Sequence, residues 1–270
     1  MVWYLESLTA PIIPNAPLRI KPKLAPAWGA EVVSSNIVGY EKVAVNKGWT
    51  MIGVQFNQVG GEPLDLGTVG VLDSSMDGFD AEGSFPNEMR VFDGTDYTYY
   101  GWSGSSGTDL LDNADLDNQW IDTTELAPVD EEMKPAQGFW IKSETGGTIT
   151  LSGEVPTADT IQADVGIGWN MIANPYPGAV LVENFGTLDS TFAGFDAEGN
   201  FPNEMRVWDG ENYAYYGWSG NSGSSLLDNP DIDNKWIDTT ELAVTDDKIE
   251  FGKAVWIKAS SSGKITFSKP

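Results

Sequence analysis

Two acidic loops hold the side chains best suited to bind a cation. The first runs Asp112, Asn113, Ala114, Asp115, Leu116, Asp117 and Asn118, with Asp122 following. The second runs Asp228, Asn229, Pro230, Asp231, Ile232, Asp233 and Asn234, with Asp238 following. Calcium takes six to eight hard oxygens at about 2.4 Å, and clustered Asp and Asn side chains supply such ligands. The spacing is not that of an EF-hand, because the turn glycine and the closing bidentate Glu are missing. The same residues also suit Asx turns, in which a carboxylate caps its own backbone. Calcium therefore stands as an optional ligand, and no cofactor is required.

Aromatic residues form the second chemical set. Tyr97, Tyr99, Tyr100 and Trp102 recur as Tyr213, Tyr215, Tyr216 and Trp218. Rings of this kind stack on sugars, with Tyr99, Trp102, Tyr215 and Trp218 as the candidate platforms for a polysaccharide. Alternation along a strand sends about half of such rings inward, so core packing competes for them.

Catalysis finds little support. The chain contains no cysteine and no histidine, which excludes disulfides, thiolate nucleophiles, ordinary zinc sites and His-based triads. Asp and Glu pairs abound, as glycoside hydrolysis would require, yet no acid stands out from a crowded acidic surface. The chain reads as a non-enzyme.

Charge narrows the partners further. Forty acidic residues against 15 basic ones give a net charge of -25. Such a body repels nucleic acid phosphates and anionic headgroups. No apolar window approaches the length needed to cross a bilayer. Nucleic acid binding and membrane insertion are therefore not expected. Met1 to Ala10 lacks a basic segment followed by a long apolar run, so no signal peptide is legible there.

The elements that position these residues are written twice. Residues 78–104, GFDAEGSFPNEMRVFDGTDYTYYGWSG, return at 194–220 as GFDAEGNFPNEMRVWDGENYAYYGWSG. The offset is 116 residues (194 − 78), and it also relates Trp140 to Trp256. Upstream, GWTMIG at Gly48 matches GWNMIA at Gly168 with an offset of 120 (168 − 48), so a short length difference lies between. Within each copy, Met89 to Phe92, Asp93-Gly94 and Tyr97 to Trp102 read as strand, tight turn and strand. Residues 138–142 and 254–258 read as buried strands. Thr148 to Leu151 and Lys264 to Phe267 alternate as closing strands, and a short helix is expected near Val182 to Thr187. With 30 Gly and 15 Pro as punctuation, the expected fold class is all-β. It comprises two homologous β-sandwich or barrel-like domains in tandem, residues 29–152 and 153–270.

Residues 1–28 lie outside the repeat and form a Pro-rich extended arm, because five prolines forbid a helix. Leu18, Ile20 and Leu24 alternate with Arg19, Lys21 and Lys23, so one face of a strand is apolar and the other basic. Three basic residues against one acid, Glu6, make the arm positive on a strongly negative body. Such a segment suits an acidic sheet edge. Extended, it reaches on the order of 90 Å, far enough for a neighbouring molecule. Trp3 and Tyr4 add apolar groups that solvated leaders seldom carry. The arm's interface residues are thus Trp3, Tyr4, Leu18, Arg19, Ile20, Lys21, Lys23 and Leu24, docking either on their own copy or on another.

The order Gly-Trp-Asn-Met-Ile at Gly168, Val207-Trp208-Asp209-Gly210 with Tyr213, Ala254 to Lys258 and then a Thr-rich strand resembles tandem β-rich repeats of secreted bacterial surface and matrix proteins. The resemblance covers nearly everything after residue 30. It implies an extracellular or cell-surface setting and brings no known activity. The expected function is a structural subunit that joins copies of itself head-to-tail into a filament, tube or surface layer. The two domains would stack end to end as a rod, and the arm with the unmatched, complementary domain ends would drive this homopolymer. The alternative is a secreted carbohydrate-binding or adhesin-type module.

Overall fold

Alternation of apolar and polar residues becomes strand throughout the computed structural model, which describes residues 37–80, 84–105, 114–129, 131–196, 198–221 and 229–270. The predicted arm with its eight interface residues lies outside the described residues, as do Asp112 and Asp228. The all-β expectation holds: among the described residues the helical elements are three-residue 3-10 turns. The helix expected near Val182 to Thr187 is one of these, Val182–Asn184. It is too short to bury an apolar stripe of its own.

The first copy contributes β1 (Val38–Val45), β2 (Gly48–Gly53), β3 (Leu64–Asp65), β4 (Val71–Leu72), β5 (Asn87–Phe92), β6 (Tyr97–Trp102), β7 (Trp120–Asp122), β8 (Glu132–Met133), β9 (Gly138–Ser143) and β10 (Gly147–Glu154). The second contributes β11 (Thr160–Val165), β12 (Gly168–Ala173), β13 (Val180–Leu181), β14 (Thr187–Leu188), β15 (Glu204–Trp208), β16 (Tyr213–Trp218), β17 (Trp236–Asp238), β18 (Lys248–Ile249), β19 (Ala254–Ala259) and β20 (Gly263–Ser268). The two sets pair identically. Strand order is β2-β9-β5-β6-β7 in one five-stranded sheet and β12-β19-β15-β16-β17 in the other. Three-stranded sheets β1-β10-β4 and β11-β20-β14 accompany them, all pairs being antiparallel. Strand β10 runs on to Glu154, so the sequence boundary after residue 152 falls inside a strand.

The expected tight turn at Asp93-Gly94 is a longer loop. Phe92 pairs with Tyr97, which leaves residues 93–96 to close the hairpin. The Asp93 carboxylate accepts from Thr95 N–H at 2.7 Å and Asp96 N–H at 2.9 Å, and Gly94 supplies a φ of 107°. Asp209 repeats the arrangement with Glu211 and Asn212.

Period-2 alternation divides the five-stranded sheet into two faces with different tasks. Ile52, Met89, Tyr100, Trp102, Phe139 and Ile141 join Val43, Val45, Leu72, Ile149 and Leu151 of the three-stranded sheet in one buried core. A matching core forms in the second copy. The opposite face carries Trp49, Met51, Arg90, Phe92, Tyr97, Tyr99 and Trp140. Part of it meets its own counterpart from the other copy, in a cluster of Met51, Trp140, Met171, Ala173, Ala254 and Trp256 flanked by further aromatics.

That contact is reciprocal. Phe92 lies 5.2 Å from Trp256, and the equivalent pair Trp140 and Trp208 is 6.1 Å apart, both edge-on. Gly53 N–H donates to Gly252 O at 2.9 Å, and Ala173 N–H donates to Ala136 O at the same distance. A pairing in which i meets j while j meets i is isologous and closes on itself. The copies therefore do not stack end to end as a rod. The large apolar groups lie on the equivalent sheet faces, and burying both faces together satisfies both.

Gly252 and Ala136 sit at equivalent positions, with φ of 70° and 75°. A β-carbon on Gly252 would overlap the side chain of Val43, which only a glycine avoids. Gly252→Ala is expected to cost about 1–3 kcal/mol from left-handed strain plus overlap. Ala136→Gly is expected to be neutral or to stabilise slightly. Urea unfolding of both variants checks the pair.

Candidate functional site

The sheet face outside the reciprocal contact bears an arginine held between two rings. The Arg90 guanidinium sits 4.3 Å from the Trp49 ring centroid and 4.7 Å from that of Tyr99. Cross-strand register places it there, since Arg90 opposes Tyr99 on one side and Trp140 on the other. A terminal nitrogen donates to Glu88 at 2.9 Å, while the buried Nε has no protein partner. Arg206 repeats the arrangement between Trp169 and Tyr215, at 4.3 and 5.1 Å, with Glu204 at 3.2 Å. Its Nε is likewise buried without a partner.

Beside this stack lies an open hollow of about 650 Å³, bordered by Phe85, Glu88, Arg90, Tyr99, Thr124 and Leu126. Phe85 lies against Gly101, where any side chain would collide with its ring. Phe79 packs 4.7 Å from Phe85. In the second copy Phe195 and Phe201 are 4.8 Å apart, and Phe201 covers Gly217 in the same way. The rim is anchored by Asp122, whose carboxylate accepts from Thr124 and Glu125 N–H at 2.7 and 2.8 Å. This loop holds Leu126 partly exposed with a φ of 51°, and Leu242 sits equivalently at 52°. Apolar residues in left-handed backbone are uncommon, and strain of this kind concentrates at recognition surfaces.

The sugar-platform candidates divide by strand alternation. Tyr99 and Tyr215 are 46% and 49% exposed, each beside its arginine. Trp102 and Trp218 are corrected: both are 1% exposed and pack on Trp120 and Trp236, at 5.2 and 5.3 Å, inside the two cores. They lie three residues along the strand from the tyrosines, which inverts the face. Tyr100 and Tyr216 point inward too and donate to Glu131 and Asp247 at 2.6 and 2.8 Å. Burial, then these carboxylates, pushes both phenols upward from their ordinary pKa. From sequence, Glu88 and Glu204 count only as candidate cation ligands, with Glu82 and Glu198, and Arg90 and Arg206 are not singled out. The signal was present in the alternation of Arg90 with Met89 and Val91 on a strand paired to Tyr99.

The cation loops are also placed. Asp115 lies on the 3-10 turn Ala114–Leu116, and Asp231 on Pro230–Ile232. Asn118 and Asn234 take φ of 55° and donate N–H to Gly104 and Gly220 O at 2.7 Å. Asp117 and Asp233 follow those turns, and Asp122 and Asp238 cap the rim loops. Among the described residues, no group of three or more acidic side chains gathers to hold a metal ion.

No protein-family model, curated protein or solved structure matches the chain. Among the described residues no helix is long and apolar enough to cross a membrane.

Replacing the rings by alanine separates surface platform from core. Tyr99→Ala and Tyr215→Ala are each expected to cost less than about 1 kcal/mol. Trp102→Ala and Trp218→Ala are each expected to cost about 3–5 kcal/mol. Chemical denaturation followed by circular dichroism measures the difference.

Proposed function

We propose that the chain is a non-catalytic extracellular structural subunit: two homologous β-sandwich domains fused as a closed pair, which joins further copies through its N-terminal arm. The supporting observation is the pair of edge strands. Among the described residues, β1 and β11 each pair with a neighbouring strand on one side only. Unpaired strand edges are templates for an added strand, and residues 18–24 have the required alternation. The contact between copies is closed, so growth falls to the arm and not to repetition of that contact. Strong negative charge keeps separate molecules soluble until a basic segment bridges them.

Deleting residues 1–28 is expected to leave a folded monomer that forms no fibre, tube or sheet under conditions where the full chain does. Negative-stain microscopy with size-exclusion chromatography reads the result. Normal assembly by the truncated protein removes the arm from this role.

A second reading rests on the hollow beside Arg90 and on the matching stack of Arg206 with Tyr215 in the second copy. An exposed Tyr beside Arg and Glu offers a stacking face and hydrogen-bonding groups to a sugar ring, and two such sites make a bivalent adhesin-type module. On this reading the Tyr99→Ala, Tyr215→Ala double variant loses retention on an insoluble polysaccharide column by about tenfold or more. Equal retention of the variant and the parent excludes this reading.

A further inference from the structure

The two junctions between the copies are not alike. At one, Phe251 packs 6.4 Å from Phe56, Gly252 lies against Val43, and Lys253 Nζ donates to Ala44 O at 3.2 Å. An aromatic ring and an ammonium thus close the side of β1. At the other junction the equivalent positions are Pro135, Ala136 and Gln137, facing Ala163 and Asp164 of β11. Gln137 instead turns back to accept from its own Lys134 N–H at 2.7 Å. An open groove of about 780 Å³ remains along β11, bordered by Phe92, Asp93, Glu154, Ile161, Asp164 and Trp169. The four residues by which the first copy exceeds the second fall in the loop before β3, which reaches the groove through Gly61 and Pro63.

Resting on the arm reading above, we propose that this groove is the seat of residues 18–24. Three observations converge on that occupant. The filled junction shows what chemistry satisfies the site, namely a large apolar group with a cation beside a strand edge. Leu18-Arg19-Ile20-Lys21 carries that chemistry in alternation. The groove lining presents Asp93, Glu154 and Asp164 against Lys134, with Asp164 also paired to Lys264 at 2.7 Å, so its net charge stays negative and opposite in sign to the arm's three cations. The point of entry fits as well. Ile37 O accepts from Val155 N–H at 2.7 Å, and Val155 itself borders the groove. From Leu24 to Ile37 the chain spans at most about 45 Å, and seven residues of added strand need about 23 Å of edge. The arm seats beside β11 of its own molecule in the monomer, and by exchange beside β11 of a neighbour in the assembly.

The cysteine-free chain allows a direct test. Ile20→Cys with Thr157→Cys, on the groove rim, is expected to form a disulfide under mild oxidation. Ile20→Cys with Thr240→Cys, on a distant loop, is expected to form none. A bond within one chain or between two chains supports the seat, and its position on a non-reducing gel separates the two. Bonds confined to single chains at every concentration overturn the assembly reading while leaving the groove assignment intact. Equal bonding at Thr157 and Thr240, or none at either, overturns the seat. An independent variant fills the groove with the residues of the other junction, Pro135→Phe and Gln137→Lys. In this variant tryptic cleavage after Arg19 and Lys23 is expected to be about tenfold faster or more than in the parent, because the arm is displaced. Equal cleavage rates in two folded proteins overturn the proposal.

Discussion

Two tryptophan-rich sheet faces cannot remain in water, and each is covered by the other. Trp49 packs edge-on against Trp140 at 5.9 Å, Trp169 against Trp256 at 6.0 Å, and these pairs meet across the junction. Large aromatics remove about 150–250 Å² each from solvent, and at about 25 cal/mol per Å² a cluster of them outweighs any polar contact in the chain. Close approach depends on small residues between the rings. Gly53 faces Ala173, and Gly138 faces Ala254, leaving no space for a longer side chain. Packing on one face of Trp49 and the arginine stack on another are therefore coupled. A ring fixed by the inter-copy cluster is also the surface on which Arg90 rests, and Trp169 serves Arg206 in the same way.

The acidic composition has a local explanation in the turns. Asp93, Asp122, Asp209 and Asp238 each accept two backbone N–H groups at a chain reversal. Hydrogen bonds hold Asp93 and Asp209 below the ordinary carboxylate pKa. These side chains define loops, and the Asp122 loop defines the rim of the hollow beside Arg90. Charge and architecture thus have a common origin, with the net negative field a by-product of turn chemistry as much as a signal to partners.

Much of this architecture was legible in the sequence because it is local. Alternation marked the strands around Arg90, Phe139 and Ile149, and self-similarity placed the second copy without further information. The Asp-Gly loop was visible as a reversal, though its length depended on which residues of the flanking strands pair. The contact between copies was not legible, since nothing in one strand states which face another sheet will cover. The end-to-end arrangement inferred from unmatched termini overlooked Trp140 and Trp256, whose indoles point away from the two cores. Trp102 failed as a platform for the same reason in reverse: a single step of register decides whether a ring faces solvent or core.

Fusion of the copies by the short connection after β10 alters what the pair is free to become. In a dimer of separate identical chains, every substitution appears twice, and both junctions must accept it. Here Phe251 and Lys253 fill one junction while Pro135 and Gln137 leave the other open, a divergence that strict twofold symmetry forbids. Covalent linkage also fixes the effective concentration of one half near the other, so the pair persists at any dilution. A notch at one junction, closed at the other, gives the molecule a direction.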